Sequence, residues 1–226
     1  MARVKGWPPA LVTPTTPAER KRGDGAHVAE FIETFCPQVK DSIAGRAGEP
    51  LVLRPWQKQL LAAAYARRAD GRYRHRRMLI GMPRKSGKSA IGSGMALYAL
   101  MMGPHGGEVY SCAADRDQAR IVFGDAQNMA RQSPGFRKRF GVTVGAHNMH
   151  VLATGSKFEA LSAEGSTLDG LNIHFGCIDE LHAHKTRTVY DVVETGTGKR
   201  DNSLLWVITT AGSNRAGICY EVRSFV

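Results

Sequence analysis

The sequence predicts an α/β fold with a mostly parallel central sheet flanked by helices, and three observations carry that prediction. Short apolar runs suited to buried strands recur at residues 78–82, 108–113, 149–153, 157–162, 173–178 and 204–209. Helical spacings separate several of them, notably at 90–102, 115–131 and 188–194. Strands that alternate with helices favour crossover connections and parallel pairing, with both faces of the sheet covered. The third observation is local: from Arg77 the chain reads as strand, glycine-bearing turn and helix in immediate succession.

Composition sets the bounds. A chain of 226 residues with 42% apolar and 23% charged side chains can bury one sizeable core, which excludes a disordered, collagen-like or disulfide-scaffold protein. Cys36, Cys112, Cys177 and Cys219 are widely spaced and form no Cys-x-x-Cys pair, so they read as reduced, mostly buried thiols. The apolar run at 90–103 is shorter than the roughly 18 residues a membrane-spanning helix requires. The first residues lack the apolar core of a secretory signal, so a cytosolic chain with no membrane partner is expected. Against 20 acidic residues stand 31 Lys and Arg, a formal charge of +11 that favours a polyanionic partner, either nucleic acid or nucleotide phosphate.

Taken in order, residues 1–25 are rich in proline and poor in large apolar side chains, and read as an extended arm; residues 26–226 read as one domain. A helical spacing at 27–36 (Val28, Phe31, Ile32, Phe35) stops at Pro37. Pro55, at a first-turn position, opens a second helix through residue 69 with Leu60, Leu61, Ala64 and Tyr65 on one side. A basic run follows, with nine Lys or Arg against one acid over residues 67–88. It predicts binding to double-stranded DNA without sequence preference and with steep salt dependence.

The sharpest motif is Gly81-Met-Pro-Arg-Lys-Ser-Gly87-Lys88-Ser89, between a predicted strand and a predicted helix. A phosphate-binding loop needs backbone N–H groups turned toward an anion, a glycine for close approach, a lysine for the outer phosphates and a hydroxyl for magnesium. Gly87, Lys88 and Ser89 supply the last three, although Gly81 stands one residue earlier than the common spacing. The strand at 173–178 ends in Asp179-Glu180. A parallel strand beside the loop would deliver Asp179 to the magnesium ion and set Glu180 toward the γ-phosphate, where it could orient and deprotonate water. Ahead of the loop, Gln57 could read an adenine edge while Arg54 or Trp56 lies on the ring; equally, Trp56 could be core and Gln57 solvated. Thr209 and Thr210, at another strand end, could contact the catalytic water or sense the γ-phosphate. His182 and His184 have no third ligand nearby in sequence and read as surface histidines rather than a zinc site.

Six segments in this order, at residues 54–57, 83–89, 168–172, 178–183, 195–200 and 208–212, together resemble the ATPase domain of tailed-phage large terminase subunits, in particular the branch typified by phage HK97. The resemblance runs from about residue 27 to the end of the chain. It implies a P-loop NTPase fold of the additional-strand type, in which a strand intervenes between those bearing the loop and the acidic pair. It also implies ATP and Mg²⁺ as ligands, held by Pro83, Arg84, Lys85, Ser86, Gly87, Lys88 and Ser89, together with Arg54, Gln57, Thr209 and Thr210. Arg84 would contact the phosphates or the acidic pair, Lys88 the β- and γ-phosphates, Ser89 and Asp179 the metal, and Glu180 the attacking water. Thr209 and Thr210 would couple hydrolysis to movement, and Arg200 is the candidate arginine supplied to a neighbouring subunit. The implied partners are double-stranded DNA, a portal protein, a small terminase subunit and further copies in a homo-oligomeric ring on the procapsid, in the host cytoplasm. Members normally continue into an RNase H-type nuclease domain; this chain stops at Val226, so nuclease activity is not expected of these residues. The motifs also admit a helicase-like or other nucleic-acid-remodelling ATPase, or a nonhydrolysing nucleotide-dependent assembly module.

Overall fold

The computed structural model of the chain describes residues 12–42, 44–162, 170–210, 212 and 214–225. Two compact units divide at residues 76 and 77.

In the first unit, the segment read as an extended arm contains a helix, α1 (Pro17–Arg22). Thr16 caps it and Glu19 bonds back to the Thr16 backbone, a reciprocal pair that satisfies two otherwise orphaned donors. Helix α2 (Gly25–Phe35) buries Val28, Ala29, Phe31 and Ile32 and ends at Cys36, ahead of Pro37. It packs on α3 (Pro55–Ala64) so closely that a Cβ at Gly25 would lie 2.5 Å from the Ala62 Cα. Helix α3 stops five residues short of the expected end, because the following backbone turns back on itself: Arg74 N–H donates to Ala66 O and Arg68 N–H to Arg72 O. Arg67 fixes that turn, bonding Asp24 at 2.6 Å and stacking 4.5 Å from the centre of the Tyr73 ring.

The second unit holds one seven-stranded sheet: β1 (Arg77–Gly81), β2 (Glu108–Ala113), β3 (Val142–Val144), β4 (Asn148–Val151), β5 (Ser156–Ser162), β6 (Ile173–Ile178) and β7 (Leu204–Thr209). Its spatial order is β1-β7-β6-β2-β5-β4-β3. The first five strands in that order pair in parallel, and β4 and β3 add an antiparallel margin. Thus β7 stands between β1 and β6, and the immediate neighbour of the loop-bearing strand is not the one that ends in the acidic pair.

Helices α4 (Lys88–Met102) and α5 (Arg116–Gln132) cover one face; α7 (Thr188–Thr197) and α8 (Ile218–Ser224) pack over the other. Strand β7 shows why both are needed. Its Leu205 and Val207 join Val189, Val193 and Ile218 on one side, while Trp206 and Ile208 lie beside Gly92 of α4 on the other. All six of its residues are buried. Two elements, the short α6 (Pro134–Phe140) and β3, were not expected from the sequence. Cys36, Cys112 and Cys177 are buried free thiols and Cys219 is half-buried.

Candidate active site

Strand β1 ends at Gly81, and the next residue, Met82, donates its N–H to the carbonyl of Thr209 at 3.0 Å, which carries the β1–β7 ladder into the loop. The loop then turns through Lys85 at φ 62° and Gly87 at φ 82°, and α4 begins at Lys88. The first N–H groups of a helix have no intrahelical partner, so a helix opening directly behind such a turn offers donors to an anion. Pro83, Arg84 and Lys85 are exposed on the crest of the loop, whereas Lys88 is buried.

Strand β6 brings the acidic pair to the same end of the sheet. Ser89 Oγ donates to Asp179 Oδ2 at 3.2 Å, and Asp179 Oδ1 accepts the Glu180 N–H at 2.8 Å. Glu180 sits in the left-handed region at φ 48°; it and Lys85 are the two non-glycine residues with positive φ among the described residues. Such backbone is costly for an L side chain and persists where surrounding contacts over-determine it. Here those contacts are visible. Lys88 Nζ lies 2.8 Å from Glu180 Oε1, while Glu180 Oε2 accepts from Thr210 N and Oγ1, both at 3.3 Å, and lies 3.2 Å from His182 Nδ1.

The electrostatics of the two carboxyls differ. Burial and the adjacent Glu180 charge raise the pKa of Asp179 above its ordinary value. Burial also acts to raise that of Glu180, but the hydrogen bond and charge of Lys88, with His182 and the Thr210 N–H, bring it below the usual carboxylate range. A hydroxyl beside a carboxylate is the hard-oxygen donor set that suits Mg²⁺, which usually keeps waters and substrate phosphates as its remaining partners. Among the described residues there is no cluster of three or more His, Cys, Asp or Glu, so the chain offers this pair and not an all-protein cage.

Lys88, Ser89, Asp179, Glu180, Thr209 and Thr210, distant in sequence, therefore meet at the carboxyl ends of β1, β6 and β7. The expectation that His182 and His184 are surface histidines is corrected. His184 is buried, with Nε2 3.3 Å from the Asp179 carbonyl. His182 stands between the acidic pair and the threonines: Nδ1 is 3.1 Å from Thr209 Oγ1, and its N–H donates to the same oxygen at 3.2 Å. Gly212 makes room for it, since a Cβ there would lie 2.8 Å from the His182 Cβ. The signal available in sequence was the spacing of His182 two residues after Glu180 on a strand end, together with a glycine closing the Thr-Thr motif.

Two expected groups are not brought to this cluster by the fold of the second unit. Arg54 and Gln57 belong to the first unit, where the buried Gln57 side chain accepts the Arg54 N–H at 2.7 Å and caps α3. Arg200 precedes β7, at the amino end of the sheet, where it donates to the carbonyls of Asn172 at 3.0 Å and Gly106 at 2.7 Å. Residues 168 and 169 of the third segment, 168–172, lie outside the described residues.

A parallel sheet in which one strand separates the loop-bearing strand from the acidic strand, with Gly-Lys-Ser at the start of a helix, defines a P-loop NTPase fold of the additional-strand type. Residues 55–226 match the family described as terminase large subunit, ATPase domain, and the chain belongs to that family. It is 30% identical over 199 residues to the terminase large subunit of Enterobacteria phage HK97, covering 86% of this chain and 38% of that protein. The crystal structure of the HK97 large terminase superposes with a TM-score of 0.74 at 28% identity, over 90% of this chain and 42% of that one. The chain thus spans about two fifths of the length of these relatives. The Thermus phage P74-26 large terminase ATPase domain shares the fold at a TM-score of 0.52 and 24% identity, over 66% of this chain and 65% of that one. A shorter similarity, 46% over 55 residues, covers 24% of this chain and 12% of the YmfN protein of Escherichia coli K12.

Proposed function

We propose that this chain is the ATP-hydrolysing motor domain of a phage packaging machine that drives double-stranded DNA into procapsids. The observation that carries the reading is the convergence of Lys88, Ser89, Asp179, Glu180 and Thr210 within hydrogen-bonding distance of one another at the end of the sheet. ATP lies against the loop of residues 83–89, with Lys88 on the outer phosphates. Ser89 and Asp179 would hold Mg²⁺, which would supply positive charge against the phosphates. Lys88 cannot serve Glu180 and the phosphates equally, so its move to the substrate frees Glu180 from the cation that holds its pKa down. Glu180 then becomes a better base, while Thr210 and His182 keep Oε2 oriented toward water for in-line attack. Arg84 completes the phosphate contacts from the exposed crest. Gln57 and Arg54 are assigned to the adenine.

The same reading assigns a homo-oligomeric ring in the host cytoplasm, docked on a portal protein and supplied with DNA by a small terminase subunit. Among the described residues no helix is long and apolar enough to cross a membrane. Arg200, remote from its own subunit's cluster, serves a neighbour: Arg200→Ala subunits mixed with Glu180→Gln subunits regain hydrolysis, and an absence of rescue in normally assembled rings removes Arg200 from the role. The core reading is tested by Lys88→Ala, which loses nucleotide binding, and Glu180→Gln, which binds ATP but does not turn it over. Wild-type turnover by Glu180→Gln overturns it.

A further inference from the structure

The two histidines that follow the acidic pair act on different parts of it. His182 meets the carboxylate of Glu180, whereas His184 meets the peptide bond that joins Asp179 to Glu180. That peptide is held at both ends. Its carbonyl, from Asp179, lies 3.3 Å from His184 Nε2, and its N–H, from Glu180, donates to Asp179 Oδ1 at 2.8 Å. A carbonyl only accepts, so His184 carries a proton on Nε2. The chain that follows the pair places the ring. Ala183 N–H donates to Glu180 O at 2.8 Å across the 3₁₀ turn Leu181–Ala183, and His184 N–H donates to Leu181 O at 3.2 Å, which brings the buried His184 side chain back to Asp179.

The place of this clamp matters because Glu180 is strained. At φ 48° and ψ 52° its backbone lies in the left-handed region, which an L side chain leaves unless its surroundings hold it there. Two movements could relieve the strain. Turning the chain after Glu180 would pull the fully buried Leu181 from the core and break the bond from Ala183 N–H to Glu180 O. Turning the Asp179–Glu180 peptide disturbs less: it carries φ of Glu180 to negative values and withdraws the Glu180 N–H from Asp179 Oδ1. His184 holds the carbonyl against that turn. The other bonds of Asp179 do not oppose it. Its N–H donates to Cys112 O at 2.8 Å and its Oδ2 accepts from Ser89 Oγ at 3.2 Å, and neither group is carried by the turning peptide.

We propose that His184 is a positioning residue for ATP hydrolysis: by fixing the Asp179–Glu180 peptide it keeps the two carboxyls in the arrangement the reaction uses. This rests on the reading of Glu180 as the base and Asp179 as the metal ligand. The test compares the chain as it stands with His184→Gln, whose amide can still donate to the carbonyl, and His184→Phe, which fills the space without a donor. Hydrogen exchange at the Glu180 amide, followed by NMR without nucleotide, reads the peptide directly. Exchange should quicken by roughly fivefold or more in His184→Phe and stay near the wild-type rate in His184→Gln. In steady-state phosphate release, His184→Phe should lose kcat by roughly 10- to 100-fold with KM for ATP within about threefold, and His184→Gln should recover most of the loss. His184→Leu, also without a donor, takes the place of the phenylalanine if that variant does not fold. Equal loss of kcat in the glutamine and donor-free variants, or a loss carried by KM, marks packing alone and overturns the proposal. Unchanged Glu180 exchange in the donor-free variant overturns it as well, as does faster exchange with wild-type kcat. A wild-type chain that hydrolyses no ATP overturns the reading of the site and the role with it, while the exchange rates still report whether His184 holds the peptide.

Discussion

At the carboxyl ends of β1, β6 and β7 the ionic groups answer one another, Lys88 to Glu180 and Ser89 to Asp179, whereas along α6 three cations in a row stand in a stretch of chain without a single acid. The first arrangement is closed: it can change only when something enters and takes one of the partners. The second is a row of exposed cations on a short helix anchored by the buried Phe136. The first also stores backbone strain, at Lys85 and Glu180, while the turn that ends α6 uses the glycine that such a conformation favours. One margin thus couples its side chains to one another across three strand ends, while the other presents them to solvent.

The largest effect that separates them is on turnover. Glu180→Gln should lower ATP hydrolysis by roughly 10²- to 10⁴-fold, the usual contribution of a general base, while charge reversal at 137–139 leaves unstimulated turnover within about twofold. Steady-state phosphate release measures both. A comparable loss from the reversal would erase the distinction.

Next is Phe136→Ala, which removes the buried anchor of α6 and should cost roughly 3–5 kcal/mol in a denaturant titration. Nucleotide affinity of the folded protein should hold. Loss of nucleotide affinity in the folded variant would mean that the two margins are one cooperative unit.

His182→Ala sharpens the comparison within the reactive margin. It removes the side chain that spans Glu180 and Thr209, and misorientation of this size should reduce kcat by roughly 10- to 100-fold with KM little changed. Gly212→Ala should reproduce the defect in part, since its Cβ displaces His182.

The smallest effect is on stability, and its sign is opposite. A carboxyl whose folded pKa is raised binds more protons folded than unfolded, so stability falls as pH rises from its unfolded value, 3.8, through the folded one, and the deficit remains at neutral pH. Asp179→Asn should therefore raise Tm at pH 7, by a few degrees if the relief is about 1 kcal/mol, while abolishing metal-dependent hydrolysis. The gain should vanish as pH is lowered below the normal carboxylate range. Glu180, whose folded pKa is depressed, behaves in the reverse sense: its stabilising contribution is present above its unfolded value and is lost as pH falls through the folded one.

Most of the reactive margin was legible in the sequence because its parts are long, apolar and bounded by glycine. The strands now seen as β1, β2, β5, β6 and β7, and helices α4 and α5, each carry a clear period, and the loop and acidic pair fall on their ends. The other margin was not. Helix α6 has seven residues, three of them consecutive cations, and only Phe136 and Phe140 mark its inward side. Strand β3 is three residues long and exists by pairing with β4, a contact that no local pattern announces. Helix α1 did carry a readable signal, Thr16 followed three residues later by Glu19, but the surrounding prolines favoured an extended reading. The extra turn expected of α3 fails for a tertiary reason, the capture of Arg67 by Asp24. His182 fails for another: its importance comes from Thr209, far away in sequence, and histidine spacing alone suggested a metal or the surface.

Strand β7 pairs on both sides, and its six residues divide strictly by parity, Leu205 and Val207 to one helical layer, Trp206 and Ile208 to the other. One residue inserted within it would exchange those two sets and swing Thr209 away from His182, whereas residues added before it, around 198–203, leave parity untouched. The chain's freedom to vary in length is therefore quantised: added or lost residues are expected to be tolerated in the connections, and not in the strand between loop and acidic pair.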